Sequence, residues 1–234
     1  MIDRLRWLAA SLVHLYTASG AVLGLVALNA AVGGDVRAAF LWLAACTFID
    51  ATDGWLARRA RVSQVVPQID GALLDNIVDY LTYVFVPVVV MLRTHVLSPG
   101  LEWVAASAVL LASGFGFSRT DAKTHDHFFT GFPSYWNIVA FYLFAAGLPP
   151  WANTGIVLGL VALVFVPVGY VYPSRTVAMR TATITIGSAW AIAVLVSIWQ
   201  LPRITTWLVW VSLLFPAYYM GLSAVLHARR SPSS

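Results

Sequence analysis

Eight apolar runs follow one another along this chain of 234 residues, at 8–32, 36–58, 70–93, 101–119, 134–148, 152–171, 179–200 and 204–226, with only short polar breaks between them. Each approaches the ~20 residues that a helix needs to cross a bilayer's hydrocarbon core, the fifth being short. A lipid interior has no water to satisfy backbone N–H and C=O groups, so only helices and closed barrels cross it. Runs of this length predict helices. The expected fold is therefore all-α: a polytopic membrane helical bundle of about eight transmembrane helices, forming one integral membrane domain over residues 1–234. Composition agrees. Hydrophobic residues make up 60% of the chain, charged residues only 10%, and mean hydropathy is +0.80. A soluble domain carries about 25% charged residues. A soluble globular enzyme, a disordered tail and a basic nucleic-acid binder are excluded as classes, so no nucleic-acid partner is expected.

An even number of spans puts both termini on one side. That side would hold Arg4, Arg6, Arg58, Arg59, Arg61, Arg119, Lys123, Arg175, Arg180, Arg229 and Arg230, eleven of the 14 Lys and Arg residues. Only Arg37, Arg93 and Arg203 fall on the other. Cationic residues gather in cytoplasmic loops, so both termini are expected in the cytoplasm. Arg4 and Arg6 ahead of an apolar run resemble a secretory signal, but the run exceeds the 7–15 residues of a signal core, which favours a retained first span. Trp7, Trp103, Trp136, Trp151, Tyr172, Trp199 and Trp207 lie near run ends, where interfacial aromatics belong. Gly20/Gly24 and Gly155/Gly159 are spaced for close helix approach, within the chain or in a homodimer. The single cysteine, Cys46, reads as a packing residue.

The acidic residues are unevenly placed. Of ten, five lie between Asp50 and Asp79: Asp50, Asp53, Asp70, Asp75 and Asp79. Ionisable groups in or beside a membrane span are costly and mark function by default. Asp50 and Asp53 are three residues apart at the end of the second run, and Asp75 and Asp79 four apart at the start of the third. Each pair shares a helix face. A short loop joins the two runs, so four carboxylates are expected to converge. Like charges so close need a cation among them, and hard oxygen donors suit Mg²⁺ or Mn²⁺. Gly54 and Gly71 beside the cluster suggest close approach of a ligand or another backbone. Asp70 reads as a loop charge or helix cap.

Together these residues form Asp50-Ala-Thr-Asp53-Gly54-Trp-Leu-Ala57-Arg58, then twelve residues, then Gly71-Ala-Leu-Leu-Asp75-Asn-Ile-Val-Asp79. The pattern resembles the signature of the CDP-alcohol phosphotransferase family. Its long central gap resembles the bacterial phosphatidylcholine synthase branch, as do Gly131-Phe-Pro-Ser-Tyr-Trp-Asn137 and Tyr170-Val-Tyr-Pro-Ser-Arg-Thr176. The resemblance implies an enzyme of a bacterial inner membrane with its active site facing the cytoplasm. It would transfer the phosphatidyl group of CDP-diacylglycerol to choline and release CMP. It also implies that Asp50, Asp53 and Asp75 bind divalent metal, in a pair of ions, and that Asp79 is the base and a further metal contact. Gly54, Ala57, Arg58 and Gly71 would line the CDP site.

Choline has no N–H to donate, so aromatic faces and a carboxylate are its physical recognition elements. Tyr83, Tyr135 and Trp136 are the candidates. Arg119, Arg175 and Arg180 are candidates for the lipid phosphate or pyrophosphate. Asp121, His125, Asp126 and His127 read as a polar loop rather than a second metal site. Two alternatives stand. One is a sister transferase acting on serine, inositol or glycerol phosphate. The other is a cation transporter, which explains the acidic residues but not the spacing of Gly54, Ala57, Arg58 and Gly71.

Overall fold

A computed structural model describes residues 4–119, 128–171 and 179–228, without the side chains of Phe129, Val171 and Arg180. Helices occupy the positions of all eight apolar runs. They are α1 (Arg4–Val32), α2 (Val36–Ala60), a continuous stretch of α4 (Gly71–Asp79), a π-helical turn (Tyr80–Phe85) and α5 (Val86–Arg93), then α6 (Glu102–Ser118), α7 (Trp136–Ala145), α8 (Pro150–Phe165), α9 (Arg180–Trp199), and the pair α10 (Thr206–Ser212) and α11 (Leu214–Ala228). The one-turn helix α3 (Val62–Val65) lies between α2 and α4.

Four of these stretches are long and apolar enough to cross a membrane: Arg4–Val32, Gly71–Arg93, Thr181–Trp199 and Thr206–Ala228. Within the most apolar part of Thr181–Trp199 only 17% of residues are buried inside the protein, so its apolar surface has another solvent, lipid. The fold is an all-α membrane protein. α2 has the length, at 25 residues, but carries Asp50, Asp53, Arg58 and Arg59 in its second half. α6, α7 and α8 are apolar but shorter. The ten residues of α7 rise only ~15 Å, half a hydrocarbon core.

α1 organises the signature region. Its buried stripe runs Ala10, His14, Thr17, Gly20, Gly24, Ala27 and Ala31, a spacing of three and four that keeps one face inward. A Cβ on Gly20 would lie 2.7 Å from Val78 Cγ1, and one on Gly24 3.2 Å from Thr82 Cγ2. This first glycine pair packs α1 against α4 and the π turn within the chain. A Cβ on Gly155 or Gly159 would instead meet nothing within 4 Å among the described residues. Cys46 is buried, its Sγ 3.5 Å from the Gly20 carbonyl, as a packing residue should be.

The long gap between the two halves of the signature is structured. α2 ends where Arg61 turns left-handed and returns its N–H toward Ala57 and Arg58. Val62 and Val66 then bury themselves on Ala10 of α1. Asp70 caps α4, its carboxylate accepting from the backbone of Ala72 and Leu73 at 3.0 and 3.1 Å. The cap reading of Asp70 is thus the correct one.

One element lies outside the all-α expectation. β1 (Phe128–Thr130) pairs antiparallel with β2 (Gly169–Val171). The sixth apolar run was expected to continue as helix to 171, but α8 stops at Phe165. Pro167 explains the stop: it lacks an N–H, and it drives the residue before it out of the helical region. Val166 has ψ 124, and the chain leaves extended. Gly131 follows β1 at φ +84, and a Cβ there would lie 2.2 Å from the Val164 carbonyl oxygen. Only glycine fits so close to another backbone.

Interhelical hydrogen bonds fasten the interior. Trp136 Nε1 donates to Ser113 Oγ at 2.8 Å, Asn137 Nδ2 to Thr47 Oγ1 at 3.0 Å, and Trp190 Nε1 to the Tyr142 hydroxyl at 2.8 Å. In lipid such bonds help to bind helices to one another.

Candidate active site

α2 and α4 bring three carboxylates together. One oxygen each from Asp50, Asp75 and Asp79 lies within 4.8 Å of the others, and all three residues are half-buried. Two unit charges at that distance repel by roughly 3 kcal/mol at an effective dielectric of 20. The acids come from α2 and α4, two helices that both pack on α1. Hard oxygen donors in such a cluster fit a divalent cation, and these three residues could hold one.

Asp53, the fourth acidic residue of the signature, does not join them. Three residues along a helix turn the side chain by ~60° from the Asp50 direction. That rotation points Asp53 at α1, where its Oδ2 accepts a 2.8 Å hydrogen bond from the buried Thr17 hydroxyl. Asp75 and Asp79 are four apart, only ~40° offset, and both stay on the cluster side. The expectation of four convergent carboxylates is corrected to three, with Asp53 anchored beside them.

A cavity of about 330 Å³ opens over the cluster. Asp50, Asp75, Asp79 and Asn76 form one wall, and Phe117 and Arg119, at the end of α6, form another. The third wall is Gly131-Phe-Pro-Ser-Tyr135, the segment between β1 and α7. The strand pair and the tight fit of Gly131 on α8 hold this segment over the acids. Tyr83 ties the walls together. Its hydroxyl donates to Asp50 Oδ2 at 2.7 Å, and its ring lies 6.0 Å from that of Tyr135. The π turn is where Tyr83 sits, and such widened turns recur at functional sites.

Tyr83, Tyr135 and Arg119, three of the candidates named in the sequence, line the cavity. Trp136 does not. It has no exposed surface, donates to Ser113, and stands edge-on behind Phe132 at 5.3 Å. It is neither an interfacial anchor nor a cavity residue. Gly54, Ala57, Arg58 and Gly71 do not line this cavity, and Ala57 and Gly71 face α1 instead. A Cβ on Gly54 would lie 3.3 Å from a guanidinium nitrogen of Arg58, and Ala57 packs on the Val62, Val66 and Ala10 cluster. Arg175, Asp121, His125, Asp126, His127 and Tyr172 lie outside the described residues, as does the side chain of Arg180.

No family model matches the chain. Curated relatives do. A phosphatidylcholine synthase of Pseudomonas aeruginosa is 36% identical over 217 residues, covering 93% of this chain and 91% of the relative. The chain belongs to the phosphatidylcholine synthase family. A phosphatidylcholine synthase of Legionella pneumophila is 46% identical over 73% of this chain and 67% of its own length. Another, from Bradyrhizobium diazoefficiens, is 40% identical over 79% and 69%. In this member of the phosphatidylcholine synthase family, sequence reasoning found the acids and Tyr135 but missed Thr17 and Phe132. Thr17 carries no signal in an apolar run. Phe132 lay in a motif quoted for its resemblance, with no role attached.

Proposed function

We propose that the chain is a CDP-diacylglycerol–choline O-phosphatidyltransferase, making phosphatidylcholine and CMP. Family membership supports the reaction. The observation that carries the choice of acceptor is that three carboxylates share one cavity with Tyr83 and Tyr135. A quaternary ammonium is attracted by aromatic faces, by ~0.5–2 kcal/mol per contact, and by nearby negative charge. A phosphorylated acceptor would want a basic pocket, and Arg119 is the single cation among the cavity's described residues.

In the reaction, the choline oxygen bonds to the phosphorus that carries diacylglycerol, and the bond from that phosphorus to the CMP oxygen breaks. Asp79 accepts the choline hydroxyl proton, and CMP leaves with the electron pair of the broken bond. Asp50, Asp75 and Asp79 would hold divalent metal, Mg²⁺ or Mn²⁺, and Asp53 is assigned to the same metal site by the signature alone. A pair of such ions, when bound, would supply charge neutralisation for the attacking and leaving oxygens. Gly54, Ala57, Arg58 and Gly71 receive the CDP portion, and Arg119 faces the lipid phosphate, with Arg175 and Arg180 assigned alongside it on sequence alone. Tyr83 and Tyr135 receive choline, with Trp136 backing them through Phe132.

The eight helical stretches read as eight spans of a single domain, with both termini and the active site on the cytoplasmic side of a bacterial inner membrane. The eleven-to-three division of cationic residues supports that orientation. The exposed Gly155/Gly159 pair on α8 leaves a homodimer contact open.

The test is purified protein in vesicles containing CDP-diacylglycerol, supplied in turn with choline, serine, inositol and glycerol phosphate, with and without chelator. Choline-dependent CMP release, lost with chelator, is expected. Release with another alcohol and not with choline would overturn the acceptor. Ion flux without CMP release would return the chain to the transporter reading.

A further inference from the structure

α1 brings two polar side chains to the signature that nothing in its apolar sequence announces. Thr17 is engaged with Asp53. His14, three residues and ~4.5 Å nearer the N-terminus, is not engaged at Nε2. The residue is 7% exposed, and that nitrogen is shut off from solvent without a hydrogen-bond partner among the described residues. A buried polar atom without a partner carries the full cost of its lost hydration, so it calls for a physical reason.

The ring's neighbour points to one. His14 Cε1 lies 3.1 Å, and Nδ1 3.7 Å, from where a Cβ on Gly71 would stand. The imidazole therefore uses the space that a side chain at 71 would fill. Gly71 opens α4 and is one of the four signature residues assigned above to the CDP portion. Ala10 and Val13, just ahead of His14 on α1, belong to one apolar cluster with Ala57, another of the four. His14 thus stands where α1 meets both halves of the nucleotide side of the signature. Neither His14 nor Gly71 lines the cavity that holds Tyr83 and Tyr135.

We propose that His14 Nε2 hydrogen-bonds the cytidine phosphate half of CDP-diacylglycerol, the half that leaves as CMP. This rests on the transferase reading. Neutral imidazole can donate from one nitrogen and accept at the other, and CMP presents hydroxyl donors as well as carbonyl and phosphate acceptors, so no proton transfer is involved. The contact sets affinity for the nucleotide and leaves choline untouched.

Two measurements test this on the full chain in lipid nanodiscs with Mg²⁺. The first is calorimetric titration with CMP. His14→Phe keeps a ring against Gly71 without the nitrogen. It is expected to weaken CMP binding about tenfold and raise the CDP-diacylglycerol KM alike, with the choline KM unchanged. His14→Gln restores a polar nitrogen or oxygen and is expected within about threefold of wild type. Unchanged CMP affinity in His14→Phe, a Gln variant no better than Phe, or an equal shift in choline KM overturns the role. The second uses wild-type protein and serves where the Phe variant does not fold. The ¹⁵N resonance of His14 Nε2, assigned by its absence from His14→Gln, is expected to move on CMP addition; an unmoved resonance overturns the role. A wild type that releases no CMP with any alcohol overturns the transferase reading itself. Wild-type turnover with normal CMP binding in the variants overturns only His14.

Discussion

The hydroxyl of Tyr83 donates a 2.7 Å hydrogen bond to Oδ2 of Asp50, joining the aromatic wall of the cavity to its acidic cluster. One side chain therefore serves two needs: it lines the cavity, and its hydroxyl fixes the orientation of a carboxylate that metal would use. Partners of this kind typically change metal affinity 10–100-fold when removed.

Tyr83→Phe should separate the two roles. The ring stays and the hydroxyl goes. The Mn²⁺ concentration for half-maximal activity is expected to rise at least tenfold, with choline KM within twofold of wild type at saturating metal. Tyr83→Leu removes the ring as well, and choline KM should then rise severalfold. Metal and choline titrations of both variants check this.

Asp79→Asn keeps the shape of the side chain but removes its capacity to take a proton. General-base help is worth about 10²–10⁴-fold, and a loss of at least that size is expected in single-turnover CMP release. Near-normal release in a variant that still binds Mn²⁺ would take Asp79 out of the proton-accepting role.

Thr17→Val removes the hydroxyl that Asp53 accepts from and leaves that oxygen buried without its donor. Loss of a hydrogen bond to a buried charged group costs about 1.5–3 kcal/mol. Lower thermal stability is expected, with the deficit narrowed by Thr17→Ser, which keeps the hydroxyl. Equal stability of the Val and Ser variants would show that the bond contributes nothing.

Gly131→Ala places a Cβ 2.2 Å from the Val164 carbonyl at a φ of +84. Backbone strain of this kind costs about 1–3 kcal/mol, and here the steric clash adds to it. The segment carrying Phe132 and Tyr135 must shift, so choline KM should rise together with a fall in melting temperature. A variant with unchanged choline KM would show that this segment does not shape the acceptor side.

Much of the fold was legible because lipid is a demanding solvent. Each of the eight apolar runs became helix, since backbone groups in hydrocarbon must bond within their own segment. Asp70 was legible as a cap because a carboxylate ahead of a helix has local donors to meet. The end of α8 at Phe165 was less so: Pro167 was visible, but the pairing of Gly169–Val171 with Phe128–Thr130 joins segments about 40 residues apart, and no local pattern records it.

The sequence by itself determined the solvent, the helices and the acidic residues, because hydrophobic length, charge placement and helical spacing are local properties. Tertiary structure decided which acids meet and what faces them. Asp53 and Asp50 look equivalent three residues apart, but α1 packs on α2 and claims Asp53 through Thr17, while Asp50 turns to the cavity that Asp75 and Asp79 of α4 share. Trp136 and Tyr135 are adjacent, and only the packing of α7 turns the tyrosine to the cavity and the tryptophan to Ser113. Side-chain direction around a helix follows from the chain, but the identity of the neighbour in each direction is a property of the assembled bundle.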